Sequence, residues 1–196
     1  AMMFVGCGSS DISEGVAKND YPITINGVTL NSQPTGVAVL SQNIADVILT
    51  GGFEATLKAK SEDCTQEDLS ILPNLTIDDV QEMKRLGVTL VLVDEAPTEQ
   101  QTAALEAQGI QILAISPAKS RDDCKRLYRE VGSAMVGGNT GYTKGEKACD
   151  NVFYTLDDIT RLVPSTGTQY TACYLYDLEG HAATGNSLFG SLISYA

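Results

Sequence analysis

Residues 88–94 (VTLVLVD) and 110–116 (IQILAIS) are apolar at consecutive positions, so both faces of any strand they form must be covered. A strand with one solvated face alternates polar and apolar residues. A strand in a parallel sheet flanked by helices does not. Between the two runs, Pro97 suits a first helical turn, Ala103, Ala104 and Ala107 surround Leu105, and Gly109 closes the segment. Upstream, 76–79 (TIDD) has the form of a capping box, with Ile77, Val80 and Met83 at helical spacing and Gly87 as the stop. Downstream, Ser120-x-x-Asp123 opens another helix with Leu127, Val131 and Met135 inward. Strand and helix alternating through short loops specify an α/β lobe, a parallel sheet with helices on both faces.

The same pattern begins earlier in the chain. Residues 36–41 (GVAVLS) read as an apolar strand, Ile44, Val47 and Ile48 follow at helical spacing, and 55–60 form a short second strand. Ahead of them, 23–30 (ITINGVTL) is a hairpin, because Asn26-Gly27 tolerates the positive φ of a type I′ turn. Further on, Thr143-x-x-Glu146 reads as a capping box opening a helix of about twenty residues, roughly 30 Å long. Val152, Leu156, Ile159 and Val163 run along it as far as Pro164. A crossover helix need not be so long, so this one reads as a rod leaving the lobe. Residues 164–167 form a joint, and 170–176 (YTACYLY) begin a second sheet before a glycine-rich loop and the start of a helix. The expected organisation is a leader remnant and tether (1–20), an N-terminal α/β lobe (21–140), a linking helix (141–165) and the incomplete start of a C-terminal lobe (166–196).

A formal charge of -12, from 13 basic and 25 acidic residues, repels polyanions, and no basic run offers a local footprint; nucleic acid is not expected as a partner. No stretch reaches the roughly 20 apolar residues that span a bilayer. Residues 5–10 (VGCGSS) resemble the cleavage site of a bacterial lipoprotein signal peptide, in which Gly6 admits the peptidase and the Cys7 thiol takes the lipid. Residues 11–20 then form a polar tether, and a lipid anchor is the only membrane contact expected. Cys64, Cys124, Cys149 and Cys173 are scattered without a C-x-x-C pair, which argues against zinc or a thioredoxin-like site; in an exported protein they could form disulfides that sequence cannot pair, and isolated buried thiols are the expected state.

The ordered set of elements carries a resemblance. It comprises the hairpin, GVAVLS with its helix ending in Gly-Gly, LTIDDVQEMKRLGVTLVLVDE, LEAQGIQILAIS, the helix ending AMVGG, the rod, and YLYDLEGHAATGNSLFGSL. The chain resembles the solute-binding lipoproteins of bacterial ABC importers, in the class whose lobes are joined by one long rigid helix. That class serves iron-siderophores, haem and cobalamin. The resemblance, over about residues 21–196, implies an extracytoplasmic lipoprotein, cell-surface or periplasmic, that hands an iron complex (a ferric siderophore or related chelate) to an ABC permease. It also implies a second lobe longer than the one begun here. The strand at 170–176 would then have a bare edge, expected to pair with a second copy or to fold back on the first lobe. Permease docking by a first-lobe carboxylate falls at Asp79, Gln81 and Glu82, while the second-lobe position falls at Asn186 and Ser187, with no carboxylate. That departure leaves an alternative, a cell-surface interaction or scaffold lipoprotein that no longer delivers ligand.

Ligands of open parallel sheets sit outside the carboxyl ends of the strands. The candidate contacts are therefore Gln42, Asn43, Ser61, Glu62, Asp94, Glu95, Ser116 and Lys119, with His181 facing them from the second lobe. His181 doubles as a candidate axial haem ligand, but one histidine is too few for a bare manganese or zinc ion. Anionic siderophores call for convergent Arg or Lys, and only Lys58, Lys60, Lys119 and Arg121 approach this face. No intrinsic cofactor or catalytic residue is expected. QNIAD after GVAVLS lacks the glycine pattern of a phosphate loop, and neither Cys64 nor Cys124 has a neighbouring histidine to activate it.

Overall fold

A computed structural model describes residues 10–12, 15–162, 172–175, 179, 181–184 and 187–195. The chain begins with β1 (Ser10–Asp11), which runs parallel to β2 (Ile23–Ile25); β2 and β3 (Val28–Leu30) form the expected hairpin. Asn26 and Gly27 at its tip both have positive φ, 49° and 81°, as a type I′ turn requires.

The apolar runs form a four-stranded parallel sheet. β4 (Val37–Val39) leads through α1 (Gln42–Gly51) to β5 (Leu57–Lys60), α2 (Val80–Arg85), β6 (Leu90–Val93), α3 (Glu99–Glu106) and β7 (Gln111–Ala114). The strands lie in the order β5-β4-β6-β7, every neighbour parallel. Side-chain alternation explains why these strands are apolar throughout. Val37, Val39, Leu90, Leu92 and Leu113 face one way, onto Ile44 and Ile48 of α1 and Leu127 and Val131 of α4 (Arg121–Val136). Ala38, Ala59, Val91, Val93 and Ile112 face the other way, onto Met83 of α2 and Leu105 of α3. Each buried Leu or Ile is worth about 1.5–3 kcal/mol relative to exposure, so two cores clamp the sheet between two helical layers.

Both outer strands are covered along part of their outer side. Beyond β7, the Asn26 amide donates to the Ala114 carbonyl (3.0 Å) and the Gln111 amide donates to the Thr29 carbonyl (2.9 Å). Beyond β5, the Lys60 N–H donates to the Pro73 carbonyl (3.0 Å) and the Leu75 N–H donates to the Lys60 carbonyl (2.8 Å).

Three helix starts differ from expectation. The Asp79 carboxylate accepts from both the N–H and the hydroxyl of Thr76 (2.7 Å each), closing a turn that delays α2 to Val80. α3 starts at Glu99 behind a full capping box of Thr98 and Gln101, so Pro97 lies outside the first turn. The long helix α5 (Thr140–Leu162, 23 residues) starts three residues before Thr143. The Thr143 hydroxyl donates to the Asn139 carbonyl as an interior residue, and Glu146 pairs with Arg129 (2.5 Å). The cap comes from afar, since the Asp20 carboxylate accepts from the Thr140 N–H (2.7 Å) and hydroxyl (3.1 Å).

α4 and α5 pack with their backbones in direct contact. A Cβ on Gly132 would overlap the Gly141 carbonyl, one on Gly141 the Gly132 carbonyl, and one on Gly145 the Tyr128 carbonyl. Toward its end α5 exposes Val152, Ile159 and Leu162. Of the strand expected over 170–176, residues 172–175 are described; they make one antiparallel bridge, Leu175 to Ala182, and the Tyr174 ring stacks on Phe189 of α6 (Leu188–Tyr195) at 4.3 Å. Cys7, Val163, the joint at 164–167 and Asn186 lie outside the described residues.

Candidate functional site

A cleft of about 510 Å³ opens at the carboxyl ends of β4, β5 and β6, within the range typical of small-molecule sites. Leu40 and Val93, at the ends of β4 and β6, form its apolar wall together with Leu75 and Ile77. Ser61 and Glu62 enter from the end of β5, Asp94 and Glu95 from the end of β6. Four of the expected contacts therefore meet in one place.

The other five do not. Ser116 and Lys119 line a second cleft of about 590 Å³, with Asp123, Arg126 and Glu130 of α4. The cause is packing: Ile115 and Ala118 join the core on the α1/α4 side, which turns their loop away from the first cleft. Gln42 and Asn43 begin α1 on that same side, exposed, and line neither cleft. His181 is exposed beside the Leu175–Ala182 bridge and also lines neither.

Ser41 organises the first cleft from beneath. Buried at 1% exposure, its hydroxyl donates to the Asp94 carboxylate (2.7 Å) and accepts from the Ile44 N–H (3.4 Å), so one side chain caps α1 and fixes Asp94. Lys60 is a strut rather than a ligand contact. It is buried, and its ammonium donates to the Asn74 side chain (2.7 Å) and the Ser61 carbonyl (3.3 Å), pinning the loop that carries Asn74 and Thr76 into the lining. Behind Ser61, burial pushes the Cys64 thiol pKa up, with the Ser61 hydroxyl 3.2 Å away. Asn74, Thr76 and Gln101 are lining residues that strand-end reasoning missed. Thr76 and Gln101 had local signals, the Thr76-x-x-Asp79 and Thr98-x-x-Gln101 boxes, but only as helix caps.

Charge separates the two clefts. The first presents Glu62, Asp94 and Glu95, and among the described residues its lining holds no Lys, Arg or His. Among the described residues no three His, Cys, Asp or Glu are grouped to hold a metal ion. The second cleft holds Lys119 and Arg126, and the Arg126 guanidinium is already engaged. Arg126 pairs with Asp123 (2.6 Å) and Glu130 (3.0 Å) and donates to the Ser116 carbonyl (3.0 Å). The Arg126 hydrogen bond, with help from the Lys119 N–H, holds the Asp123 carboxyl below the usual carboxylate range.

The expected docking carboxylates are engaged within their own turn of chain. The Asp79 carboxyl is held low by Thr76, and Glu82 is held low by the Arg85 guanidinium (2.5 Å); Gln81 is exposed.

The order of the sheet, the helices on both faces and the long α5 decide the comparison with known proteins. The fold is that of the periplasmic solute-binding proteins. The chain is similar to a structure from Staphylococcus epidermidis described as a possible iron-binding (periplasmic solute-binding) protein, with TM-score 0.65 and 12% identity over 83% of this chain and 65% of that one. A periplasmic heme-binding protein from Roseiflexus sp. RS-1 gives TM-score 0.59 and 20% identity over 84% and 64%. A periplasmic heme-binding protein from Pseudomonas aeruginosa gives 0.54 and 13% over 65% and 46%. The chain thus spans just under two thirds of the length of the first of these. No family model matches it, nor does any curated protein.

Proposed function

We propose that this chain is a ligand-binding lobe of an extracytoplasmic solute-binding component of an ABC importer, and that its solute is an iron complex, a ferric siderophore or related chelate. The observation that carries the reading is the cleft at the strand tips, where Ser61, Glu62, Asp94 and Glu95 converge on an apolar wall. The iron and heme ligands named for proteins of the same fold support the solute class. The same reading makes 21–140 the first lobe, 141–165 the link to a second lobe begun at 166–196, Cys7 the lipid attachment point and the exposed face of Gln81 the permease-docking region. It includes a homodimer through the 170–176 edge as one way that segment is completed. The role is binding rather than catalysis.

The carboxylates refine the solute. A chelate of zero or positive net charge meets Glu62, Asp94 and Glu95 favourably, whereas a trianionic one is repelled. Titration of tyrosine fluorescence, in a chain without Trp, reads binding directly. Saturable quenching by a cationic or neutral ferric trihydroxamate, weaker for a ferric tris-catecholate, is the expected result. Binding of the tris-catecholate alone overturns the charge argument and keeps the iron-complex reading. Failure of all ferric chelates, haem and cobalamin to bind overturns the function.

A further inference from the structure

We infer that Cys124 and Cys149 form a disulfide-bonding site that ties α4 to α5 one turn beyond their glycine contact. The two helices hold a strict register. Gly132 meets Gly141; four residues back along α4 and four forward along α5, the Tyr128 carbonyl meets Gly145. The next equal step sets Cys124 opposite Cys149. Two ion pairs on the flank keep the same step, Arg129 with Glu146 (2.5 Å) and Lys125 with Asp150 (2.7 Å). Backbones that touch at the glycines leave the short span a disulfide requires, since its Cα atoms sit about 4.4–6.8 Å apart.

The surroundings agree. Cys149 is buried and Cys124 half-buried, both as free thiols. Burial first raises both thiols, and with the charge on Cys124 as the next cause Cys149 is pushed up to about 11, so the two share one electrostatic neighbourhood. Neither lines the ligand cleft. Cys64 sits elsewhere, against Ser61 and the Val39 carbonyl, and Cys173 is exposed beyond the end of α5.

The bond forms by thiol–disulfide exchange. The more accessible Cys124 thiolate attacks a small-molecule disulfide and releases one thiol; the Cys149 thiolate then displaces the second. Two protein thiols lose two protons and two electrons, and the oxidant's S–S bond becomes two thiols. Raised thiol pKa values make the exchange slow at neutral pH and faster as pH rises. In the extracytoplasmic compartment proposed above the bond persists.

The test uses the full chain, first reduced, then incubated with glutathione disulfide above neutral pH, alkylated in denaturant and mapped as tryptic peptides. The expected product is a Cys124–Cys149 linked peptide, with a Tm about 10 °C above the reduced protein for a loop of about 25 residues. Both should be absent in Cys124→Ser. Alkylation or separate glutathionylation of the two cysteines in folded wild-type protein, or their linkage to other cysteines, overturns the inference. If a serine variant fails to fold, the wild-type peptide map decides alone.

Discussion

Replacing Gly141 by Ala sets two effects against each other. In a helix interior Ala is better than Gly by about 0.8–1 kcal/mol, so propensity alone predicts a more stable protein. The added methyl, however, would overlap the Gly132 carbonyl and lie 2.8 Å from the Ser133 Cα. Those atoms are backbone, and none can rotate away. The helices must separate, which also opens the next contact, Tyr128 against Gly145. Overpacking of this kind costs about 1–3 kcal/mol, and because two backbones must move the cost belongs at or above the upper end. The expected net effect is a loss of about 2 kcal/mol after the propensity gain is subtracted. For a chain of this size that lowers Tm by about 4–8 °C, with no change in the urea m-value. Thr143→Ala, on the exposed face of the same helix, is the control. It should be neutral or gain about 0.5 kcal/mol, whereas a true N-cap would lose about 1. A Gly141→Ala protein as stable as the wild type would refute the close seam, and with it the register that places Cys124 against Cys149.

Asp20→Ala should cost about 1–2 kcal/mol in urea denaturation by leaving the Thr140 N–H uncapped, and a loss within experimental error removes the long-range cap. Asp123 carries a pH signature. Arg126 holds its folded pKa below the unfolded value, so its contribution is complete above about pH 4 and disappears as pH falls through the lower folded value. Wild-type and Asp123→Asn stabilities should therefore converge on acidification, and a gap that stays constant from pH 6 to about pH 2 contradicts the pairing. Asp94→Ala should weaken capture of a cationic ferric trihydroxamate roughly tenfold, about 1.4 kcal/mol, while leaving the buried Ser41 hydroxyl without its acceptor. Equal affinity in the two proteins would remove Asp94 from the site.

The sheet was legible because of where its apolar residues stand. Runs such as Val91-Leu92-Val93 have no polar face to offer, and only a layer on each side accommodates them. Ser120 could be identified as a cap because its hydroxyl accepts from the Asp123 N–H three residues on, a purely local bond. The start of α5 could not, because its cap belongs to Asp20, 120 positions earlier, and Thr143-x-x-Glu146 offers a plausible local decoy. At the site, Ser61, Glu62, Asp94 and Glu95 follow from strand ends alone. Ser116 and Lys119 go elsewhere because Ile115 and Ala118 choose a face, and that choice depends on the shape of the core rather than on nearby residues. Asn74 and Thr76 arrive on a loop held by Lys60, and the sequence around them gives no hint of that destination.

The guarded margins of the sheet bear on how such a molecule survives at high local density. Were the outer rows of amides bare, neighbouring copies could stack onto one another by adding strands. On one border the Asn26 side chain holds the Ala114 carbonyl and the Gln111 side chain ties β7 to the hairpin at Thr29, and on the other the chain at 73–75 pairs with the Lys60 backbone. Runaway stacking would first have to peel away the hairpin or uproot Lys60. Loops at the strand tips can thereby vary without touching the pairing of either border.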